Sequence, residues 1–195
     1  MNLLPLILFA AVASITPGPN NFMLWASGMN FGLRRTLPHL LGINIGFGSL
    51  VLAVGLGLGV IFEAFPVVEQ ILKWVGSAYL LYLAYRIATA TGLAERSDIP
   101  KPFTFLEAAA FQYVNPKAWI MAITAIGAFR PEDLPSVLGI LSVAGVFMIV
   151  NVPCVLAWAG AGVWMGRVLQ KQSSRRIANA VLGLLLVGTV VLLGL

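Results

Sequence analysis

The six residues TPGPNN at positions 16–21 interrupt a long apolar stretch near the start of the chain. Proline lacks a backbone N–H donor and disfavours the helical conformation of the residue before it, so a helix that reaches this motif should end near Ile15. Gly18 is expected to adopt a reversing conformation, and Pro19 suits the first turn of a second helix. The motif therefore predicts a helix that is broken into two halves.

The composition around the motif, and of the chain as a whole, predicts a membrane protein. Hydrophobic residues make up 59% of the 195 residues and charged residues 10%, against roughly 45–50% and 25% in soluble domains. A bilayer is crossed by about 20 apolar residues. We predict an all-α membrane protein of one domain with six transmembrane helices, at about residues 3–30, 38–62, 66–90, 103–129, 134–165 and 176–195.

The basic residues predict which side of the membrane each loop faces. On one side the loops carry nine Lys and Arg, and on the other side two, Lys73 and Arg130. Cytoplasmic loops are rich in Lys and Arg, so the N-terminus and the C-terminus are both expected on the outer side. The nine are scattered and form no stripe, which gives no reason to expect nucleic-acid binding. They are Arg34, Arg35, Arg86, Arg96, Lys101, Arg167, Lys171, Arg175 and Arg176.

A second breaking motif, NPK at residues 115–117, lies 99 residues after the first when their leading prolines are compared, about half of the chain. Asn115 before Pro116 resembles a helix cap followed by the first helical residue. The two motifs lie about 20 Å and about 18 Å into their spans, near mid-membrane. Since each half has three helices, we predict two inverted repeats, at about residues 1–94 and 100–195, with helices 1 and 4 interrupted.

Broken helices in lipid expose backbone groups at a cost of several kcal/mol each, so they are expected around a cavity or inside protein. N–H groups at a helix start attract a carboxylate and carbonyls at a helix end attract an ammonium, which together match the backbone of an amino acid. Prolines also kink helices that bind nothing. The candidate substrate-binding residues are Thr16, Pro17, Gly18, Pro19, Asn20, Asn21, Asn115, Pro116 and Lys117.

Lys117 is predicted to be a charge near the midplane, where charged side chains are costly and usually functional. It could pair with a substrate carboxylate or with carbonyls freed at the first break, or cap carbonyls in a purely structural role. Asn44 and Asn151 are candidates for lining the cavity or for joining helices by hydrogen bonds. Tyr79 is a further candidate for the lining, although tyrosines in such helices mostly serve packing or interface anchoring.

The remaining polar residues exclude several kinds of site. A single cysteine, Cys154, and a single histidine, His39, give no basis for a disulfide, a metal centre or another cofactor. An inorganic cation exporter would need acidic or thiolate ligands inside the spans, and a membrane enzyme or assembly factor would need a nucleophile with a base. These are the alternatives to our main hypothesis, a transporter of small neutral amino acids.

Four stretches of the sequence resemble the LysE-type family of amino-acid exporters. They are TPGPNN at 16–21, GINIG at 42–46, WVGSAYLLYLAYR at 74–86 and VNPKA at 114–118. The resemblance implies a bacterial inner-membrane exporter of amino acids or close derivatives, driven by proton motive force, and it permits a homodimer. Many members have Asp directly after the second glycine of the GINIG pattern, where this chain has Phe47 after Gly46. This departure argues against proton coupling through the second helix and makes the chain more similar to the cysteine and O-acetylserine exporter branch.

Overall fold

The computed structural model describes residues 3–60, 64–90 and 102–192, and the regular structure in these ranges is helical. The predicted join between the repeats, with Arg96 and Lys101, lies outside the described residues apart from Pro102. Eight α-helices occupy the described chain, and α3 continues into a wider π-helical turn at Val54–Leu58. They are α1 (Leu4–Ile15), α2 (Pro19–Phe31), α3 (Leu33–Ala53), α4 (Pro66–Ala88), α5 (Phe105–Gln112), α6 (Pro116–Phe129), α7 (Ser136–Val168) and α8 (Gln172–Leu192).

Both predicted breaks are confirmed. The first separates α1 from α2, whose axes differ in direction by 56°, and the second separates α5 from α6. Gly18 differs from the expectation, because its φ of 178° and ψ of 176° are fully extended and do not reverse the chain. The change of direction therefore comes from an extended link between two helices, and the absence of a side chain at Gly18 has another reason.

The second predicted helix begins earlier than expected. We predicted a start near residue 38, but α3 begins at Leu33 and includes Pro38. The proline deprives the carbonyl of Arg34 of its helical partner, and Arg34 lies in the exposed first turn, where water satisfies such a group. Arg34 and Arg35 therefore lie on a helix and not in a loop.

Helix length and composition support part of the predicted membrane topology. Three helical stretches in the described ranges are long and apolar enough to cross a membrane, namely Leu33–Leu58, Ser136–Val168 and Gln172–Leu192, and the bent pair of α1 and α2 forms a fourth span if it is counted as one. The other two predicted spans depend on α4, which contains Lys73 and Arg86, and on the pairing of α5 with α6.

Glycines bring four of these helices into close contact. A Cβ atom on Gly46 of α3 would lie 2.6 Å from Cα of Ala109 in α5, and one on Gly28 of α2 would overlap the carbonyl of Ala159 in α7. Backbones approach this closely only where small residues line both surfaces. The contacts of α3 with α5 and of α2 with α7 therefore pack one half-helix of each break against a helix from the other half of the chain.

Candidate functional site

The carbonyl groups at the end of α1 are satisfied by side chains from other elements. The amide Nδ2 of Asn21 donates to the carbonyl oxygens of Ser14 (3.0 Å) and Thr16 (2.8 Å). The indole Nε1 of Trp158 in α7 donates to the carbonyl of Ile15 (3.1 Å). A helix end in a poorly solvated place requires such partners. Asn21 thereby ties the start of α2 back to the end of α1.

The second break is stabilised in a similar way. Asn115 caps α6, since its Oδ1 accepts from the backbone N–H of Lys117 (3.2 Å), as the sequence predicted. The indole Nε1 of Trp119 donates back across the break to the carbonyl of Tyr113 (2.8 Å). Asn21 bonds the carbonyl of Ser14, and Trp119 bonds the carbonyl of Tyr113. These two acceptor residues are 99 residues apart, the same separation as that of the two leading prolines. Each break is therefore bridged by a side chain from its second half-helix.

Lys117 joins the two breaks directly. Its ammonium Nζ donates to the carbonyl oxygen of Thr16 (2.8 Å), to the Thr16 hydroxyl Oγ1 (3.0 Å) and to the carbonyl oxygen of Pro17 (3.3 Å). Gly18 makes room for this contact, because a Cβ there would lie 2.9 Å from Cδ and 3.1 Å from Nζ of Lys117. The ammonium that we expected at these carbonyls is thus provided by the protein itself.

Asn20 and Gln112 form a second connection between the breaks. Nδ2 of Asn20 donates to Oε1 of Gln112 (2.8 Å), and Nε2 of Gln112 donates to Oδ1 of Asn20 (3.1 Å). Gln112 also donates to the carbonyl of Ala108 and is completely buried. This closed pair of amides fixes the start of α2 against the end of α5.

A cavity lies between these connections. It contains about 400 Å³ of space free of protein atoms, its open mouth included. Ser14 is buried and lines this cavity, and its hydroxyl has no hydrogen-bond partner among the described residues. We call it the central cavity; the described residues that line it are Ala13, Ser14, Gly18, Asn20, Asn21, Ile43, Phe47, Asn115, Lys117, Ala118, Met121, Asn151 and Val155.

The central cavity is polar at the breaks and contains no acidic side chain among its described lining residues. Its polar side chains are the amides of Asn20, Asn21, Asn115 and Asn151, the Ser14 hydroxyl and the Lys117 ammonium. Carbonyl and amide groups with one cation suit a small zwitterion that has an uncharged side chain.

Lys117 and Gly18 also line a second, more open cavity, which continues past Thr16 and Pro17 to the end of α8 at Thr189. We call it the outer cavity. Its walls are mostly apolar, and it contains about 870 Å³ of space, open regions included. The contact of Lys117 with the first break therefore lies where the central and outer cavities meet.

The secondary candidates have different positions. Asn151 lines the central cavity, and its Nδ2 donates to Oδ1 of Asn44 (2.9 Å), so that the two buried amides connect α7 and α3. Tyr79 is not among the described residues lining this cavity; its ring packs against Phe111 at 5.6 Å between centroids and against Tyr82 at 6.0 Å. Asn44 thus joins two helices by a hydrogen bond, and Tyr79 packs against other aromatic rings. These are the alternatives to cavity lining that the sequence analysis gave for the two residues.

Sequence reasoning missed Gln112, Ser14 and Trp119. Gln112 gave a usable signal, since it is a polar residue in an apolar segment three residues before Asn115. Ser14 and Trp119 gave none, because small hydroxyl residues and tryptophans are common in membrane helices.

Comparison with known proteins identifies relatives along nearly the whole chain. The sequence pattern of the LysE type translocator family matches residues 11–195. The cysteine/O-acetylserine efflux proteins of Salmonella typhimurium strain LT2 and Escherichia coli strain K12 are each 30% identical over 182 residues, which cover 92% of this chain and 90% of the relative. No solved structure matches the chain. Because the family pattern includes both breaks and every described helix from α2 onward, the chain belongs to the LysE type translocator family.

Proposed function

We propose that this protein exports small neutral amino acids, or close derivatives, across the inner membrane by alternating access. Membership of the translocator family and the efflux activity named for relatives of 30% identity support transport of such a substrate. Cysteine and O-acetylserine are therefore the first substrates to test. The observation that carries the proposal is the bonding of Lys117 to both Thr16 and Pro17 at the edge of the central cavity.

In the proposed binding step, the substrate exchanges places with the Lys117 ammonium. The α-ammonium of the amino acid has three N–H donors and takes the three acceptors that Lys117 releases, namely the carbonyls of Thr16 and Pro17 and the Thr16 hydroxyl. Lys117 turns to pair with the carboxylate. The Ser14 hydroxyl, which has no partner among the described residues, offers another hydrogen bond. Every group that loses a partner in this exchange gains one, so the breaks stay satisfied without water.

The same groups explain the proposed selectivity. A substrate with a cationic side chain would meet no carboxylate among the described lining residues, and an anionic side chain would compete for the single ammonium. Burying an unpaired charge costs far more than burying a neutral group. Phe47, Ile43, Met121 and Val155 leave an apolar wall for a small side chain.

The proposed architecture is six spans in two inverted repeats, at about residues 1–94 and 100–195, with both termini on the outer side. Helix contacts support it, because they occur in matching pairs: α3 packs against α5 as α7 packs against α1, and α2 packs against α7 as α6 packs against α3. In the proposed repeats, α1, α2 and α3 correspond to α5, α6 and α7. Each of these contacts therefore has an equivalent contact in which every helix is replaced by its counterpart. Rocking of one half against the other would expose the central cavity to each side in turn.

The test is uptake into inverted membrane vesicles, in which export appears as accumulation. Labelled O-acetylserine and a panel of neutral, basic and acidic amino acids are supplied with and without an imposed pH gradient, which also tests the coupling to protons. We expect uptake of small neutral substrates, its loss in Lys117→Met and partial retention in Lys117→Arg. Lys171→Met, which changes an exposed lysine near the start of α8, is the matched control. Wild-type vesicles that accumulate none of the panel would refute the proposal.

A further inference from the structure

A third cavity lies at the opposite end of α2 from the first break. It is enclosed by α2, the end of α4 and the segment Pro102–Phe103, and it contains about 430 Å³ of space, its mouth included. Ser27, Asn30 and Arg86 are polar residues in a lining that also includes Phe31 and Phe103. We call it the inner cavity, since the positive loops that we assign to the cytoplasm lie at this end.

The polar groups of the inner cavity are held in place by neighbours outside it. Asn30 donates to Oδ1 of Asn179 in α8 (3.0 Å), and Asn179, which is completely buried, donates to the carbonyl of Ala90 (2.7 Å). The Ser27 hydroxyl is 2.9 Å from that of Thr36. These bonds pair the polar atoms of Ser27 and Asn30 with groups outside the cavity, so the surface that the cavity exposes is mostly apolar.

Arg86 is the only charged residue among the described residues that line the inner cavity. Its guanidinium carbon lies 5.8 Å from the centre of the Tyr82 ring, which orients the group by a cation–π contact. A guanidinium presents paired N–H donors that match the two oxygens of a carboxylate. The inner cavity therefore offers one carboxylate-binding group, Arg86, in a mostly apolar and partly aromatic wall.

The inner and central cavities are neighbours along one face of α2. Met23 and Ser27, which line the inner cavity, are three and seven residues after Asn20, which lines the central cavity. Residues at these spacings share a helix face, and Ser27 is about 10 Å from Asn20 along the axis. The hydrogen-bonded pair of Asn20 with the buried Gln112 occupies this face at the boundary with the central cavity.

We propose that the inner cavity is the entry site for substrate from the cytoplasm, in which Arg86 binds the carboxylate of the incoming amino acid. The pair Asn20–Gln112 closes the passage from this site to the central cavity, as Lys117 closes the passage from the central to the outer cavity. The inference rests on the proposed export function. It adds a second binding site, in which the substrate waits before the amide pair opens.

Thiol labelling in inverted vesicles tests the entry site without relying on transport. Ser27→Cys is introduced with Cys154→Ala, which removes the single native cysteine. A membrane-impermeant thiol reagent should label Cys at position 27 from the cytoplasmic side, and O-acetylserine should slow the labelling. With Arg86→Gln added, the O-acetylserine concentration needed for half protection should rise about tenfold or more, as expected for loss of a charge-assisted hydrogen bond. Arg86→Lys should retain most of the protection.

The closing role of the amide pair is tested with a reporter in the central cavity. Ser14→Cys in the same background should label slowly from the cytoplasmic side, and Gln112→Leu should raise that rate severalfold. An unchanged rate would overturn the role of the pair. Leucine is similar in size to glutamine, so the substitution removes the amide without opening a large cavity. A faster labelling rate would therefore report the loss of the hydrogen bonds between Asn20 and Gln112.

The outcomes separate this inference from the function on which it rests. Wild-type vesicles that export O-acetylserine, combined with no protection of Ser27→Cys or with equal protection in Arg86→Gln, would overturn the entry site and leave the exporter intact. Protection that depends on Arg86, in vesicles that accumulate none of the panel, would support the entry site as a binding site and refute export. The Ser27→Cys protein should melt in detergent at the same temperature as the Cys154→Ala parent, which verifies that the reporter protein is folded.

Discussion

The ammonium nitrogen of Lys117 lies 2.8 Å from the carbonyl oxygen of Thr16, although 101 residues separate them in the sequence. Thr16 ends the first half-helix of one break, and Lys117 is the second residue of the helix that begins at the other. The Lys117 side chain therefore joins two helix ends in opposite halves of the chain. A change that moves the Lys117 side chain is expected to weaken the connection between the two breaks.

Gly18→Ala should disturb this bond without disturbing the backbone. Alanine accepts the extended conformation of Gly18, but its Cβ would lie 2.9 Å from Cδ of Lys117 and push the flexible side chain away. We expect O-acetylserine export in vesicles to fall about tenfold, equivalent to about 1.4 kcal/mol, at an unchanged melting temperature. Gly127→Ala, where a Cβ would meet nothing within 4 Å, is the control. Normal export by Gly18→Ala would contradict the role of the contact.

Asn21→Leu should destabilise the protein. The substitution removes the donor for the carbonyls of Ser14 and Thr16 in a buried place, which should lower the free energy of unfolding by about 1–3 kcal/mol. Trp119→Phe removes the indole donor to the Tyr113 carbonyl and keeps most of the ring, so its effect should be smaller. Thermal unfolding in detergent measures both. Equal melting temperatures for wild type and both variants would show that the side chains do not support the breaks.

Asn44→Ala and Asn151→Ala should show coupled effects. Their amides share a buried hydrogen bond of 2.9 Å between α3 and α7. A double-mutant cycle of unfolding free energies should give a coupling of about 0.6 kcal/mol and at most about 1.7 kcal/mol, the range for hydrogen bonds between membrane helices. Additive single effects would mean that the bond contributes nothing to stability. Asn151→Ala should also weaken export, since Asn151 lines the central cavity.

Gly46→Ala should lower stability through overpacking. Its Cβ would lie 2.6 Å from the backbone Cα of Ala109, an atom that cannot move without shifting α5. The expected loss is about 1–3 kcal/mol in the free energy of unfolding. Gly160→Ala, which also lies inside a helix but has nothing within 4 Å of the new Cβ, should be neutral or slightly stabilising. A similar response of the two variants would argue against the tight contact.

Reporter fusions should place the C-terminus on the outer side and the basic loop before α8 in the cytoplasm. Alkaline phosphatase, which is active only outside the cytoplasm, should be active when fused after Leu195. Green fluorescent protein should fluoresce when inserted after Lys171, in the basic loop that precedes α8. The excess of Lys and Arg in the loops at this end is the physical reason. The reverse pattern of activities would mean that the inner and outer cavities are assigned to the wrong sides.

The sequence predicted the breaks because their causes are local. Proline removes a backbone donor wherever it stands, so the end of α1 at Ile15 and the start of α6 at Pro116 follow from the residues alone. The cap of Asn115 on Lys117 was predictable for the same reason. These features need no knowledge of the rest of the fold.

The partners of the breaks depend on tertiary packing and could not be predicted in this way. Trp158 reaches the Ile15 carbonyl from a helix 143 residues away, and Gln112 meets Asn20 across 92 residues. Gly18 shows the same limit, since its reason for being glycine is the Lys117 side chain and not its own backbone angles. A local rule identified the residue and gave the wrong cause.

The bridges from Asn21 to Ser14 and from Trp119 to Tyr113 have a mechanical consequence. Each hydrogen bond joins the two half-helices across one break. The two half-helices of a break are therefore expected to move together as a rigid unit. Flexibility is then expected at the side-chain contacts between the two breaks, those of Lys117 with Thr16 and of Asn20 with Gln112. If the two halves of the chain move relative to each other during transport, as proposed, the bends at the breaks should keep their angles, and the movement should be a sliding of one rigid pair of half-helices past the other.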